Sequence, residues 1–432
     1  MEFGLILQTI PILFFIYAFI ISDPDESPLA DFFQNRLPNS LMNCGRRIVG
    51  PKAIKKMESL SQYFLQVVYL VVVLGSWSVM FAYGYPLIEK SSQVSSYHKY
   101  SGYVVFALCM GSWRYACGVS PGYITENSIP KFDNYPYDNL LYTDKLCPTV
   151  KIRKLARSKY DRFSKRHVAR FDHFCGWLNQ AVGEENYRYF LFFLIVHFFM
   201  CAYGSVVTAL LFYGEIVDRD LLNATFINEV TGAEVKADKW VVFQYLVTAH
   251  YYLSRVFLVM VVVALALGVF LGFHLYITSR GMTTNEHAKW KEVRKLHKKY
   301  KMNYEKALKE GKVFEQASGE HGEERCDDSD KAGDGSNDSD IKYEGSSNDL
   351  NPLAATDKTE NEIIDPGPFP QNIYNAGIIE NFKEVIYPRS LREDAIKRWV
   401  DWHRSEKHLR NNSQGNSKCG EIDVMNGKTK TI

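Results

Sequence analysis

In the run Val168-Ala169-Arg170-Phe171-Asp172-His173-Phe174-Cys175-Gly176-Trp177, three side chains could work together. Cys175 has a His two residues before it, and Asp172 precedes that His. A nucleophile, a base and a carboxylate able to orient the base therefore fall within one short stretch. A thiol at its ordinary pKa is only a few per cent thiolate at neutral pH, so a nucleophilic Cys needs such a base or a cationic setting. Shortly afterwards, at Tyr189, the chain turns apolar. The thiol thus stands close to a membrane segment, where a soluble co-substrate and a lipid tail could meet.

The elements that must position this stretch are membrane helices. The chain has 432 residues, with 51 Lys and Arg against 49 Asp and Glu and a net charge of +2. Length and charge alone would suit two or three soluble domains. The distribution of apolar residues points instead to an all-α multi-pass membrane protein with about five transmembrane helices. A first anchor is expected over residues 1–22, because Met1 to Ile21 is nearly uncharged, lacks a basic n-region and has no small-residue cleavage site before Asp23. A polar connector over 23–59 follows. Second and third spans, within 60–118, run from Phe64 to Ala82 and from Tyr100 to Gly118. Arg114 near the end of the third reads as a snorkelling anchor. Within 189–278, spans from Tyr189 to Tyr213 and from Val256 to Ile277 enclose a connector, and His197 in the fourth reads as a partnered or interfacial histidine.

The loop 119–188 carries twelve Lys and Arg residues, which marks it as cytosolic. The connector from Glu215 to Lys239 has three basic residues against six carboxylates, as suits a lumenal loop, and holds the sequon Asn223-Ala224-Thr225. The N-terminus is then lumenal. Trp240, Tyr245, Tyr251 and Tyr252 suit the membrane interface. Eight scattered Cys show no disulfide framework. After the spans come a juxtamembrane segment over 279–314, an acidic linker over 315–366 too poor in apolar residues to fold, and a cytosolic tail over 367–432. The spans carry few ionisable residues, which disfavours a transporter or channel, and no nucleic-acid partner is expected.

The central stretch resembles the DHHC protein S-acyltransferases, or palmitoyltransferases. The matching residues are Cys147, Lys154, Ala156 to Lys159, Val168 to His173, Cys175, Trp177, Asn179, Gly183, Asn186 and Tyr189-Phe190. Further matches look most like the fungal branch that acylates SNARE proteins. They include Thr283-Thr284-Asn285-Glu286, at the family's Thr-Thr-x-Glu motif, and Tyr374 and Asn381, at the aromatic and Asn positions of its C-terminal segment. Ser120 stands where the family usually has Asp before Pro-Gly.

The resemblance implies a two-step thioester exchange: Cys175 takes an acyl group from long-chain acyl-CoA and a substrate cysteine removes it. His173 would be the base and Asp172 its orienting group, with Thr284 helping to hold Asp172. Thr283, Glu286, Tyr374 and Asn381 would support the site. Palmitoyl-CoA would be the co-substrate, and membrane proteins with juxtamembrane cysteines, SNAREs among them, the acceptors, in the endoplasmic reticulum or Golgi membrane. For the CoA phosphates the sequence leaves Arg153, Arg157, Arg166 and Arg170 open.

The family folds this loop around two zinc ions, each held by three Cys and one His. Here the first set reads Cys147, Val150, Tyr160 and His167, and the second Asp161, Ser164, Phe174 and Ala181. Two good ligands cannot close a tetrahedral site, so no bound metal or resident cofactor is expected. Phe163, Phe171, Phe174 and Trp177 are the expected replacement core. The loss of ligands also keeps a second reading open, an inactive membrane scaffold of the same fold, against which the survival of Asp172, His173 and Cys175 argues.

Overall fold

The computed structural model describes residues 63–227, 232–310 and 365–405, together with Phe32, Arg36 and Ser40. The expected first span, and the acidic linker apart from its last two residues, lie outside the described residues. The chain divides into two compact units: Met1–Pro121 with Phe174–Tyr276, and Gly122–His173 with Ile277–Ile432.

The first unit is built from apolar helices. Helix α1, Phe64–Val79, widens into a π-helical segment, Met80–Gly84, and continues as α2, Tyr85–Lys90. The widened turn precedes Pro86, which has no N–H to give to a regular ladder. Next come α3, Tyr97–Gly118, α4, Tyr187–Asp218, α5, Lys239–Ala249, and α6, Tyr251–Ser279. The helical segments Phe64–Lys90, Tyr187–Asp218 and Tyr251–Ser279 are long and apolar enough to cross a membrane. Helix α3, at the expected third span, is continuous but falls outside that set, since Arg114 and the Ser, Gly and Tyr residues among its apolar side chains lower its hydropathy. It runs antiparallel along α4, with the Tyr203 hydroxyl 2.6 Å from Ser101 and Tyr115 edge-on to Tyr189. His197 is partnered, as expected: Nδ1 donates to the Phe193 carbonyl and Nε2 accepts from Tyr69, each at 2.8 Å.

The second unit contains a small antiparallel sheet in the order β1 (Tyr123–Ile124), β3 (Arg166–Val168), β2 (Lys159–Asp161). Tyr160 faces His167 across β2 and β3, and Ile124 faces His167 from the other side. Two apolar clusters support it. Ile124, Phe132, Leu155 and Ala169 form one; Tyr135, Leu141, Tyr142, Ala156, Trp290, Val293 and Tyr374 form the other. Trp290 and Val293 lie three apart on α7, Thr284–Lys309, so one helix face closes this second cluster. Burying a side chain such as Leu141 contributes roughly 1.5–3 kcal/mol. A short helix, α8, Ile378–Ile386, follows, and further helix runs over 393–405. The core is thus not the expected one. Of the four aromatics assigned to it only Phe171 is buried, whereas Phe163 and Trp177 are 42% and 41% exposed. Both sit near tight turns between strands, where side chains face solvent.

Candidate active site

Strand β4, His173–Cys175, pairs with β5, Gln180–Val182. Cys175 follows His173 by two residues in this strand. Cys175 is buried in the first unit, and its hairpin is fixed there by three hydrogen bonds to carbonyls. Gln66 of α1 donates to Leu178 at 2.9 Å, Trp113 of α3 donates to Trp177 at 3.2 Å, and Gln180 donates to Ala116. Asn179 closes the turn at φ 52°, a left-handed conformation that Asn tolerates. Asn186 then accepts from the Gly183 N–H at 2.8 Å and donates to the Ala181 carbonyl at 2.9 Å, shaping the entry to α4.

Asp172 belongs to the second unit and is 2% exposed. Its Oδ2 lies 2.6 Å from His173 Nδ1, which places the proton on Nδ1 and leaves Nε2 as the basic nitrogen. Thr284 satisfies the rest of the carboxylate. Its backbone N–H donates to Oδ1 at 2.7 Å and its hydroxyl donates to Oδ2 at 2.9 Å. Thr284 opens α7, where the first N–H groups have no partner within the helix, so Asp172 occupies the positive end of a helix dipole.

The helix start is itself locked by a capping box. The Thr283 hydroxyl accepts the Glu286 N–H at 3.2 Å, and Glu286 Oε2 accepts the Thr283 N–H at 3.0 Å. Arg157 grips Glu286 from the side, donating Nε to Oε1 at 2.7 Å and Nη2 to Oε2 at 2.6 Å, with both side chains 1% exposed. Nη2 also donates to the Gly281 carbonyl at 2.9 Å, and the rings of Tyr374 and Tyr135 face the guanidinium at 4.7 and 5.0 Å. Burial alone would lower the Arg157 pKa; Glu286, Tyr135 and Glu384 more than offset it, so the guanidinium stays charged. Burial, with Glu286 beside it, holds the Tyr142 hydroxyl well above its ordinary range as a neutral donor to Glu286.

The tail supplies the remaining supports. Tyr374 donates its hydroxyl to the Pro136 carbonyl at 2.9 Å. Asn381 donates to the Ser279 carbonyl at 3.0 Å, satisfying an acceptor at the end of α6, and to Asn375 Oδ1 at 2.8 Å. Gly281, at φ 66°, must be glycine, because a Cβ would come within 2.6 Å of the Tyr374 carbonyl oxygen.

Asp172, Thr283, Thr284, Glu286, Tyr374 and Asn381 are therefore joined in one hydrogen-bonded and packed assembly with His173. Sequence reasoning missed the residues that tie it together. Arg157 stood only as a candidate for CoA phosphates, and its burial against two carboxylates removes it from that role, as burial does Arg170. Arg166 and Arg153 reach the surface, Arg153 bridged to Asp133 and Asp144 at 2.7 and 3.0 Å. Glu384, Tyr135 and Tyr142 carried no signal, since nothing in the sequence pairs them with Arg157 or Glu286.

The residues at the family's zinc positions do not fit two metal sites. Both Asp161 oxygens accept backbone N–H groups of its own turn, from Phe163 at 3.3 Å and Ser164 at 2.9 Å. The turn at Cys147 closes through its own backbone, with the Cys147 N–H to the Ile152 carbonyl at 2.8 Å and the Lys151 N–H to the Cys147 carbonyl at 2.9 Å. Buried His167 lies against Tyr160. No group of three or more ligand-bearing side chains converges at these positions among the described residues.

The family described as DHHC palmitoyltransferase matches residues 141–291. Palmitoyltransferase SWF1 of Yarrowia lipolytica is 29% identical over 68% of this chain and 72% of its own length. Palmitoyltransferase swf1 of Schizosaccharomyces pombe is 27% identical over 63% and 73%. For palmitoyltransferase ZDHHC4 of the mouse the figures are 32% identity over 43% of this chain, which spans only 54% of that protein. The match covers Asp172, His173 and Cys175 together with Thr283, Thr284 and Glu286, and it identifies residues 141–291 as a DHHC palmitoyltransferase domain, the domain of a family of protein S-acyltransferases.

Proposed function

We propose that this chain is a protein-cysteine S-palmitoyltransferase that acylates itself on Cys175. His173 Nε2 takes the thiol proton as Cys175 sulfur attacks the thioester carbonyl of a long-chain acyl-CoA. The carbon–sulfur bond to CoA breaks, and the departing CoA thiolate leaves with that proton. In the second half, His173 takes the proton of a substrate cysteine, whose sulfur attacks the acyl-Cys175 thioester, and Cys175 is released and reprotonated. Asp172 holds the imidazole with Nε2 as its basic nitrogen and stabilises the imidazolium in each half. The observation that carries this reading is the Asp172 carboxylate bridging His173 Nδ1 and Thr284, with Cys175 two residues along the same strand.

The acceptors we propose are cysteines beside the membrane spans of other proteins, SNAREs included, in the endoplasmic reticulum or Golgi membrane. The likeness to the fungal SWF1 proteins supports that choice. We further propose that the domain folds without structural zinc.

Purified protein incubated with labelled palmitoyl-CoA should carry label on Cys175 in a hydroxylamine-sensitive bond. Cys175→Ser should lose both the label and transfer, and transfer surviving in that variant would remove Cys175 from the mechanism. His173→Ala should slow labelling at neutral pH and recover at high pH, where the thiolate forms unaided; a defect constant with pH would make His173 structural.

A further inference from the structure

We infer that Glu384, in the tail helix α8, is a positioning residue for Asp172, holding the bend in the chain that aims the catalytic carboxylate. The inference rests on the acyl-transfer reading above. Glu384 is 8% exposed, accepts three hydrogen bonds and pairs with a further arginine. Its Oε1 accepts the Tyr135 hydroxyl at 3.0 Å and Arg157 Nη1 at 3.3 Å, and lies 3.5 Å from Arg170 Nε. Its Oε2 accepts Arg389 Nε at 2.8 Å.

Two of these arginines control the backbone beside Asp172. Arg170 stands two residues before it. Arg157 accepts the Phe171 N–H on its backbone carbonyl at 3.1 Å, and so fixes the residue immediately before it. Both have left-handed backbones, with φ of 44° at Arg170 and 64° at Arg157. Such conformations are costly for side chains of this kind and persist where surrounding contacts over-determine them. Glu384 is the carboxylate shared by both guanidinium groups. It therefore closes a ring that runs from the tail through Arg157 and Arg170 to the bend, to Asp172, and back through Thr284 and Glu286 to Arg157.

A residue that merely docks the tail would affect folding. One that aims Asp172 must also affect how well His173 works as a base. The test compares full-length wild type, Glu384→Gln and Glu384→Asp in detergent. Three quantities are read on each: thermal unfolding, the single-turnover rate of Cys175 labelling against palmitoyl-CoA concentration, and the rate of Cys175 alkylation by iodoacetamide against pH.

In Glu384→Gln, maximal labelling should fall about tenfold with half-saturation unchanged, and alkylation should slow at neutral pH yet meet wild type at high pH. Glu384→Asp, which keeps the carboxylate, should recover much of both rates. Wild-type rates and pH profile in Glu384→Gln would overturn the inference. So would rates that fall only in step with folded protein, with Glu384→Asp no better. Alkylation needs no acyl-CoA, so it still reads Glu384 if the wild type takes no label, an outcome that would count against the acyl-transfer reading instead.

Discussion

Thr284 gives Asp172 two donors from one residue, its backbone N–H to Oδ1 at 2.7 Å and its hydroxyl to Oδ2 at 2.9 Å. The Asp172 side chain, just before β4, is thereby held both by the start of a helix and by His173.

Removing the hydroxyl alone should be measurable. A hydrogen bond to a charged group contributes about 1.5–3 kcal/mol, so Thr284→Ala should slow acylation of Cys175 by about tenfold or more. Thr284→Ser keeps both donors and should stay close to wild type. Equal rates for the two variants in a single-turnover labelling assay would mean that the hydroxyl contributes nothing.

Arg157 should be intolerant of change. Arg157→Met leaves Glu286 buried without its arginine, while Glu384 keeps Arg170 and Arg389, and should destabilise the domain by about 3–5 kcal/mol. Arg157→Lys should not restore stability, because an ammonium cannot donate to both Glu286 oxygens, to Gly281 and to Glu384 in one plane. Thermal unfolding in detergent decides it; a loss below about 1 kcal/mol, the range of an exposed pair, would show that the network is not energetically coupled.

Glu384 also makes an acid-stability prediction. Burial would raise its carboxyl, but Arg170, Arg157 and Arg389 outweigh burial and hold it below the ordinary 4.5. The folded pKa is therefore depressed, and the stability it contributes is complete above the unfolded value and is lost as pH falls through the folded one. Unfolding midpoints followed from pH 6 downward should drop below about pH 4.5 in wild type and drop less steeply in Glu384→Gln. Parallel curves would exclude Glu384 as the source.

Much of this site was legible because its signals are local. Asp172, His173 and Cys175 lie in one short stretch, and Thr283 to Glu286 stand together at the family's Thr-Thr-x-Glu motif. The bracing around them is not local. Arg157 meets Glu286 across 129 residues and Glu384 across 227, and a single sequence does not encode which charge finds which. The replacement core failed for a related reason: aromatic content does not say which rings sit near strand turns. Tyr100 to Gly118 formed the expected helix, extended back to Tyr97.

Metal removal should change nothing. If the loop turns are held by backbone and carboxylate hydrogen bonds, chelators leave unfolding temperature and self-acylation unchanged, whereas a zinc-folded domain would lose its metal-binding free energy. Asp161→Ala, which strips two N–H partners from their acceptor, should cost about 0.5–2 kcal/mol by analogy with a lost helix cap. Elemental analysis finding about two zinc ions per chain, as two Cys₃His sites would give, would overturn the zinc-free fold.

The Asp161 turn also bears on how the enzyme meets oxidants. Clustered zinc thiolates make a domain fragile to peroxide, because oxidising any one of them releases metal and structure together. A carboxylate folded onto Phe163 and Ser164 offers peroxide nothing to attack, and Cys147 is only 2% exposed. Exposure does not separate Cys147 from Cys175, which is 6% exposed; on the proposed mechanism the base His173 makes Cys175 the more reactive thiol, and its oxidation to a sulfenic acid or disulfide is reversed by a thiol reductant. Activity lost to brief peroxide treatment should return fully with dithiothreitol even in the presence of a chelator, and incomplete return under those conditions would point to a metal-dependent fold.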